Sequence, residues 1–530
     1  MKLSHNLQSF EEAFKRCENI VVRSRVVCDK YSPISLAMNI FDGNDKYGFL
    51  LESVKMDERN HVSVIGIRPD LIWKMHGNTA YIARNNNIFN RVIRDSKIEE
   101  PQFMHCEADG IESLRNILAD SIITQWPDGM SSKSMGLYGY LGYETSAPGS
   151  HKMTFNNHDT IGTPDAFMLR PSMVLLVDSF RSTVEFCVPL WSYQYQYFSS
   201  ALEAYNNIEK YIEFFTKKAI TGESPDEGYY SSHSGRASYL NDDINCKVTE
   251  PSEQIEIESN MTRAEYDSML ISARKYLEMG DIFQVVLSQR WKARLGMHPL
   301  TFYRLLRTSD STPYMFYFDF MDFHVVGASP ELMLHVEDSK IKLRPLAGTR
   351  RRGCNYEEDL QLMEELLNDE KELAEHLMLV DLGRNDVGRI SKPGTVHVDK
   401  AFSVEFCKHV MHIVSVVHGE LRNDCDIVTA LISCLPAGTL SGAPKIRAME
   451  IIDELEPEKR GVYGGAIAHF SSRDKYLDSC IAIRTAVIKD GVLYVQAGGG
   501  IVYDSDIGSE YEETLNKSKT IREVLGGVKI

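Results

Sequence analysis

The chain has 530 residues, of which 43% are hydrophobic and 25% are charged, a profile typical of a globular protein and unlike that of a disordered one. Its formal charge of −17, from 58 basic and 75 acidic residues, argues against a general nucleic-acid or anionic-membrane binder, because such ligands require a clustered positive surface. Ten cysteines without a C-x-x-C pair, and an N-terminal segment without an apolar core, predict a cytoplasmic protein with reduced thiols.

Short apolar runs separated by turn residues predict strands across an N-terminal domain at residues 1–220. Within this domain, residues 136–143 place glycines at every third position among aromatic residues. Because this spacing differs from G-x-G-x-x-G, we expect closely packed strands there and not a phosphate loop. An amphipathic helix is predicted around Leu202–Phe215. The polar segment 221–257 is predicted to be a linker or a surface excursion.

A second domain is predicted at residues 258–525, where helical and strand-like patterns alternate irregularly. Thr262 and Glu265 form a capping box for a helix that ends at Gly280, and a buried strand follows at 282–291. Further strands are predicted at Phe323–Val326, Val410–Val417, Ala466–Phe470, Ile481–Ile488 and Leu493–Gln496. Further helices are predicted at Asp359–Leu382, Lys445–Leu455 and Glu510–Leu525. The irregular order favours an α+β (mixed α/β) fold over a regular doubly wound sheet.

Acidic residues on two of these helices have both a structural and a chemical interpretation. Ser509 and Glu512 form a second capping box, and Glu513 and Lys517 lie four residues apart on the helix that follows. That pair is either a surface salt bridge or a carboxylate offered to a hard cation beside a basic group. Glu375 lies in an otherwise apolar helical segment, where a carboxylate is costly to bury without a partner. Magnesium needs only one or two carboxylates besides substrate oxygens and water.

Backbone donors, a cation and a histidine supply further candidates. Gly498, Gly499 and Gly500 directly follow a predicted strand and form either a flexible turn or a backbone site for a carboxylate. The segment 438–444 precedes a helix, whose first N–H groups form another possible anion site. Arg484 lies in an apolar run and requires an anionic partner if it is buried. His412 also lies in an apolar run, as either a core histidine or a catalytic one.

The order of these segments resembles that of the chorismate-utilising enzymes, and most closely that of the large (component I) subunits of anthranilate synthases. The resemblance covers about half of the chain, residues 258–525, and is thinner in the N-terminal half. It rests on Gly280-Asp-Ile-Phe-Gln-Val-Val286, Gly327-Ala-Ser-Pro-Glu331, Arg344-Pro-Leu-Ala-Gly-Thr-Arg350, Glu375-His-Leu-Met-Leu-Val-Asp-Leu-Gly-Arg-Asn-Asp386, Gly438-Thr-Leu-Ser-Gly-Ala-Pro-Lys445, Tyr463-Gly-Gly465, Gln496-Ala-Gly-Gly-Gly500 and Glu510-x-x-Glu513-x-x-x-Lys517.

The resemblance implies a large-sheet fold with surrounding helices that enclose a chorismate-binding cleft, and a Mg²⁺ ion held by Glu375 and Glu513. A divalent cation would give an acidic protein the local positive charge that an anionic substrate needs. The substrate-binding residues implied are Gly348, Thr349, Tyr463, Arg484, Gly498, Gly499, Gly500 and Lys517. The catalytic residues implied are Glu331, His412, Gln284 and Thr439. Glu331 is expected to protonate the departing C4 hydroxyl, and His412 to transfer a proton in the elimination of pyruvate.

Two positions favour ammonia as the nucleophile. Relatives that use water carry a lysine base where this chain has Gln284, and aminodeoxychorismate synthases carry a lysine nucleophile where it has Ala347. A neutral amide cannot deprotonate water, and an alanine cannot attack the substrate. The family member expected is therefore one that forms anthranilate from chorismate and ammonia. The alternatives are an aminodeoxychorismate synthase component I and a non-catalytic tryptophan-binding regulator with the same fold.

Regulation and a partner are also implied by the resemblance. Leu50-Leu-Glu-Ser53 and Pro313-Tyr314-Met315 match the segments that bind the feedback inhibitor tryptophan in the family. The usual Asn-Pro-Ser ahead of the second segment is replaced by Asp310, Ser311 and Thr312, which adds a negative charge. No Gly-x-Cys-x-Gly motif surrounds any cysteine, so we expect a separate glutamine amidotransferase subunit (component II) to supply the ammonia.

Overall fold

The computed structural model describes residues 3–41, 46–52, 62–85, 100–124, 126–146, 153–222, 256–309, 312–407 and 410–525. Most of the predicted linker at 221–257 lies outside these ranges, and so do Ser53, Asp310 and Ser311.

Strands make up most of the regular structure. Those of the first half are β1 Ile20–Val27, β2 Phe49–Glu52, β3 Val62–His76, β4 Thr79–Arg84, β5 Met104–His105, β6 Gly136–Leu141, β7 Ala166–Asp178 and β8 Thr183–Leu190. Those of the second half are β9 Glu258–Ser259, β10 Gln284–Arg294, β11 Tyr314–Asp319, β12 Phe323–Ser329, β13 Leu332–Glu337, β14 Lys340–Leu343, β15 Leu346–Arg351, β16 His397–Phe406, β17 Val410–Glu420, β18 Gly442–Ala443, β19 Ala466–Ser471, β20 Tyr476–Ile481, β21 Thr485–Lys489 and β22 Val492–Ile501.

Helices surround these strands. They are α1 Leu7–Lys15, α2 Pro33–Ile40, α3 Gly110–Asp120, α4 Ala201–Thr221, α5 Arg263–Glu278, α6 Pro299–Ser309, α7 Tyr356–Asn368, α8 Glu370–Ile390, α9 Ile427–Cys434, α10 Lys445–Leu455 and α11 Ile507–Leu525. In the part of the chain that the structure describes, no helix is long and apolar enough to cross a bilayer. The α+β class predicted from the sequence is confirmed.

The strands form one antiparallel sheet that branches at its longest pair, β3 and β7. One branch runs from β7 through β6, β19, β20, β13 and β14 to β17, which also pairs with β15 and β16. The other runs from β3 through β2, β11, β12, β21 and β22 to β10. Strands of the first half therefore lie together in the middle of the sheet, with strands of the second half on both sides of them.

Glycines in β6 allow this close strand packing, as the sequence predicts. A Cβ atom at Gly136 would lie 2.0 Å from the carbonyl oxygen of Phe470, and one at Gly139 would lie 1.9 Å from that of Phe167. Side chains at these positions would overlap the neighbouring backbone of β19 and β7. The interpretation of residues 136–143 as packed strand and not as a phosphate loop is therefore confirmed over β6.

Several predicted boundaries agree with the structure and three do not. Thr262 caps α5 in a capping box and Gly280 follows it with φ +79°, as predicted. The helix predicted at 359–382 is two helices, because the Asp369 side chain accepts the N–H groups of Lys371 and Glu372 and starts α8 anew.

The second wrong boundary is the capping box at Ser509. The helix α11 begins two residues earlier, because the side chain of Asp506 accepts the N–H of Ser509 at 2.9 Å. The third is the continuous strand predicted at 481–488. It breaks between β20 and β21, where Arg484 has φ +49°. Arg484 thus lies at a bend between strands and not within one.

Candidate active site

Glu331 is the one carboxylate among the four predicted catalytic residues, and it is buried. It follows β12, at the sharp connection to β13, and is 8% exposed. Thr439 donates its hydroxyl to Oε1 of Glu331 at 3.2 Å. Burial raises the pKa of Glu331 to about 8, since a charged carboxylate is poorly solvated there. The group is therefore mostly protonated at neutral pH and is able to donate a proton.

Three cations from different elements act on Glu331. Lys517 on α11, Arg344 after β14 and Arg484 between β20 and β21 each lower the pKa of Glu331, but less than burial raises it. Arg344 also forms an ion pair with Glu405. The three cations form a local positive region in a protein whose formal charge is −17, and this region suits an anionic substrate.

His412 lies on β17 beside the predicted substrate segment on β15. Its Nδ1 lies 3.1 Å from the carbonyl oxygen of Gly348 and 3.1 Å from Oγ1 of Thr349. Because a carbonyl only accepts, Nδ1 carries the proton and the lone pair of the neutral ring is on Nε2. Burial first, and Arg484 and Arg344 next, lower the pKa of His412. The neutral ring is thus arranged to accept a proton at Nε2.

Gly498, Gly499 and Gly500 lie within β22 and pair with β10, so the interpretation as a flexible turn after a strand is wrong. These glycines lie near Lys517, Tyr463 and Gln284. Lys517 donates Nζ to the carbonyl oxygen of Gly498 at 3.1 Å. A Cβ atom at Gly498 would lie 3.1 Å from the Tyr463 hydroxyl, and one at Gly500 would lie 2.7 Å from Nε2 of Gln284. Side chains at these positions would fill the space between those groups. The structure therefore places the predicted substrate-binding glycines, Tyr463, Lys517 and Gln284 together.

At these glycines, strand β22 pairs with another strand on one of its two edges only. Strand β22 pairs with β10 along its whole length, but its pairing with β21 extends only from Val492 to Val495. Gly498 to Gly500 thus have no strand on the second edge within the described ranges. Such an edge presents backbone N–H groups to a ligand carboxylate.

Carboxylates from α8 and α11 face each other next to Lys517. Burial, Glu372 and Glu513 raise the pKa of Glu375, in that order. Glu510 is 8% exposed, and its Oε2 has no hydrogen-bond partner within the described part of the chain. Glu513 forms an ion pair with Lys517 at 2.6 Å. The salt bridge predicted for Glu513 and Lys517 is therefore present, and it lies at the edge of this acidic group.

The predicted inhibitor segments meet elsewhere in the sheet. Met315 on β11 lies opposite Glu52 on β2, and Pro313 precedes this pairing. Glu52 is buried and accepts hydrogen bonds from Tyr303 at 2.5 Å and from Arg307 at 2.8 Å. Leu50 and Leu51 pair with β11 in the same register. Two segments that are about 260 residues apart in sequence thus form neighbouring strands.

The Tyr314 side chain belongs to the other face of β11. Its hydroxyl donates to Oδ1 of Asp478 at 3.4 Å, and the side chain lies in the neighbourhood of Arg344. Ser53, which follows Glu52, lies outside the described residues.

Sequence reasoning did not assign roles to three residues that the structure brings to the site. Arg344 and Glu510 stand inside the motifs that carry the resemblance, which was the available signal. Arg460 lies three residues before Tyr463 and is 2% exposed. Nothing in its local sequence, Glu458-Lys459-Arg460, distinguishes it from a surface charge run.

Comparisons with known proteins bear on most of the chain. Residues 78–523 match a family model described as chorismate binding enzyme. Anthranilate synthase component 1 from Cereibacter sphaeroides is 42% identical over 519 residues, which cover 98% of this chain and 96% of that protein. The protein of the same name from Aquifex aeolicus is 35% identical, and the match covers 98% of this chain and 97% of that protein.

Solved structures agree with the fold. Anthranilate synthase component I from Streptococcus pneumoniae superposes with a TM-score of 0.69 at 32% identity, covering 89% of this chain and 94% of that one. The menaquinone-specific isochorismate synthase from Escherichia coli superposes with a TM-score of 0.64 at 16% identity, covering 98% of this chain and 99% of that one. The second likeness shows the fold alone.

Proposed function

The chain belongs to the family of chorismate-binding enzymes, and from this premise we propose that it is the large subunit of an anthranilate synthase. It would convert chorismate and ammonia to anthranilate, pyruvate and water, the first committed step of tryptophan biosynthesis. The observation that carries the proposal is the protonated Glu331, with its pKa of about 8, opposite Lys517, Arg344 and Arg484. An acid and a set of cations are what the departure of a hydroxyl from an anionic substrate requires.

The reaction assigns a role to each group. Ammonia forms a bond to C2 of the ring while the C4 hydroxyl departs, and Glu331 supplies the proton that makes water the leaving group. The C3–O bond then breaks as the ring loses its C2 proton, which forms the aromatic ring, and the released enolpyruvate takes up a proton to become pyruvate. The imidazole of His412 would transfer a proton in this second step, and its unprotonated Nε2 supports that role.

The choice of ammonia rests on Gln284 and Ala347. Gln284 is 3% exposed, and its Oε1 has no hydrogen-bond partner within the described ranges. A buried amide oxygen of this kind favours a ligand that donates a hydrogen bond, and ammonia is such a ligand. Ala347 offers no nucleophile at the position where aminodeoxychorismate synthases carry lysine. Gln284 therefore favours ammonia over water as the nucleophile, and Ala347 favours anthranilate over aminodeoxychorismate as the product.

We propose Glu375 and Glu513 as ligands of a Mg²⁺ ion. Oxygen ligands suit magnesium. Burial and the neighbouring carboxylates of Glu372 and Glu513 raise the pKa of Glu375, and a bound cation would offset the repulsion between these charges. Within the described ranges, no three His, Cys, Asp or Glu side chains converge as a metal site. The ion would therefore need substrate oxygens or water to complete its shell. When bound, it supplies positive charge for a ring carboxylate of chorismate.

A glutamine amidotransferase subunit is the proposed source of ammonia, and tryptophan is the proposed inhibitor. Support for the partner comes from the relatives, which are named component 1 of anthranilate synthase. Support for the inhibitor comes from the pairing of β2 with β11, which brings the two matching segments together. We propose a cytoplasmic location, in accord with the nine described cysteines, which form no disulfide.

The test is a fluorescence assay for anthranilate, with the purified chain, chorismate, Mg²⁺ and excess ammonium at mildly alkaline pH. Anthranilate is expected with ammonium but not with glutamine, and glutamine is expected to suffice once component II is added. EDTA should abolish the signal. Consumption of chorismate without a fluorescent product would favour aminodeoxychorismate synthase. No consumption with either nitrogen source, even with component II, would favour a non-catalytic regulator.

A further inference from the structure

Arg460 and Glu456 form a buried ion pair directly behind the proposed active site. Arg460 is 2% exposed and Glu456 is 3% exposed. Nε of Arg460 donates to Oε2 of Glu456 at 2.8 Å, and Nη2 donates to Oε1 at 2.5 Å. Because both charges are desolvated, such a pair is retained only where its hydrogen bonds are nearly complete. Its further partners show what it holds in place.

The guanidinium binds two backbone carbonyls that belong to the site. Nη1 donates to the carbonyl oxygen of Leu440 at 2.6 Å, and Nη2 donates to that of Val286 at 2.7 Å. Leu440 directly follows Thr439, whose hydroxyl donates to Glu331. Val286 lies opposite Gly500 in the pairing of β10 with β22. Arg460 therefore connects the Thr439 segment to the strand beside the substrate-binding glycines.

The same pair contacts two more parts of the site. Ser288 lies opposite Gly498 and donates both its N–H and its hydroxyl to Oε1 of Glu456 at 2.8 Å. The guanidinium lies 5.6 Å from the ring centroid of Tyr463. One buried ion pair thus contacts β10, the segment 438–440 and the ring of Tyr463.

We infer that Arg460, oriented by Glu456, is a positioning residue that fixes the Leu440 carbonyl and thereby aims the Thr439 hydroxyl at Glu331. The inference rests on the proposed function, because it assigns Arg460 a task only if Glu331 acts in the reaction. A lysine at this position would keep the positive charge. It lacks the planar fork of donors that binds Glu456, Leu440 and Val286 at the same time.

The test is the pH dependence of kcat in Arg460→Lys. Thr439, Lys517, Arg344 and Arg484 all lower the pKa of Glu331 against the effect of burial. Loss of the Thr439 hydrogen bond removes one of these effects, so the pKa of Glu331 rises. The alkaline limb of kcat should then move to higher pH. Because misplaced catalytic groups cost rate, we expect kcat to fall roughly 10- to 100-fold, and KM for chorismate to change less.

Arg170→Lys is the matched control. Arg170 is 1% exposed and forms a two-pronged ion pair with Asp70. Its other hydrogen bonds go to Ser121 and Tyr193, and neither is a proposed site residue. This variant should lose thermal stability as Arg460→Lys does, but its alkaline limb should stay at the wild-type pH. Equal pH profiles in the two variants, or an unmoved limb in Arg460→Lys, would overturn the positioning role.

Two further measurements separate the possible failures. If Arg460→Lys does not fold, Arg460→Gln combined with Glu456→Gln removes both buried charges together. The same shift of the limb is expected, and an unmoved limb contradicts the inference. The wild-type profile tests the proposed function by itself. If Glu331→Gln does not remove the alkaline limb, the acid role of Glu331 is refuted. If Glu331→Gln removes the limb but Arg460→Lys leaves it at the wild-type pH, only the role of Arg460 is refuted.

Discussion

At the scale of single residues, the environment of Glu331 controls the proposed chemistry. Its pKa of about 8 means that the acid is present below that pH and is lost above it, so kcat should fall as pH rises through about 8. Glu331→Gln should lower kcat by roughly 10²- to 10⁴-fold and remove this alkaline limb. The measurement is a pH profile of kcat between pH 6 and 10. Glu337→Gln, at the half-exposed end of β13, serves as the control and should keep the wild-type profile.

The same group gives a stability prediction with a defined sign. Burial raises the folded-state pKa of Glu331 from the ordinary glutamate value of 4.5 to about 8, so the folded state holds the proton more tightly than the unfolded one. The stabilisation is complete below about pH 4.5, declines between these two values and is gone above about 8. Glu331→Gln should therefore gain stability relative to the wild type when the pH is raised from 6 to 9. Denaturant unfolding at both pH values checks this, and a constant difference would contradict the raised pKa.

The proposed Mg²⁺ site also depends on single carboxylates. Glu375→Gln and Glu513→Gln should each weaken Mg²⁺ binding about tenfold or more, because each removes a charged oxygen ligand. Calorimetric titration of Mg²⁺, without chorismate and with it, measures this independently of turnover. Glu370→Gln, at the first position of α8, is the control and should bind as the wild type does. Unchanged affinity in both test variants would contradict the assignment.

The residue scale also shows what sequence reasoning could reach. The resemblance named Glu331, Thr439, His412 and Gln284 as candidates by position. The structure brings Thr439 to Glu331 and Gln284 to the β22 glycines, and the roles of all four stay predictions. The resemblance could not supply the pKa of Glu331, because that depends on burial and on three cations that lie far apart in sequence. Nor could it assign Arg460, whose partners at 286, 440 and 456 come from three separate segments.

At the scale of elements, side-chain caps explain two of the three wrong boundaries, which are both at helix starts. The apolar periodicity at 359–382 continues through Asp369, but that side chain binds the N–H groups of the next turn and separates α7 from α8. Asp506 likewise displaces Ser509 as the first cap of α11. Both sites offered several adjacent capping residues, and only the tertiary positions of the helices select among them.

Strand β6 yields a prediction about packing. Gly139→Ala would place Cβ 1.9 Å from the carbonyl oxygen of Phe167, and this overlap with backbone can be relieved only by moving β6 away from β7. We expect a loss of about 3 kcal/mol or more in the free energy of unfolding. Chemical denaturation is the measurement. Gly296→Ala, where a Cβ atom would have no neighbour within 4 Å, should change stability by less than about 0.5 kcal/mol.

At the scale of the whole molecule, the branched sheet joins segments that no local pattern connects. The sequence predicted strands in both halves, but pairings such as β2 with β11 and β6 with β19 depend on contacts across hundreds of residues. Strand periodicity specifies which face of a strand is buried and not which strand is its neighbour. These pairings place the predicted inhibitor segments, one from each half, in adjacent strands of the sheet that also carries β22.

The pairing of β2 with β11 leads to a prediction about regulation. Glu52 is bound by Tyr303 and Arg307 of α6, so the end of β2 that leads to Ser53 is held against the second half of the chain. A ligand bound there would contact both halves and favour one arrangement of β11, whose Tyr314 lies in the neighbourhood of Arg344 of the proposed active site. Tryptophan is therefore expected to inhibit turnover from the proposed inhibitor site, which is separate from the proposed active site.

Ser53→Ala should then raise the tryptophan concentration for half-inhibition by about tenfold, the equivalent of about 1.4 kcal/mol of binding free energy. Its uninhibited kcat should stay close to that of the wild type, because Ser53 has no assigned part in the reaction. Inhibition curves measured at fixed chorismate and ammonium give both quantities, and Ser268→Ala, an exposed serine on α5, should match the wild type in each. A parallel loss of kcat and inhibition in Ser53→Ala would place the serine in the catalytic machinery and refute a separate inhibitor site.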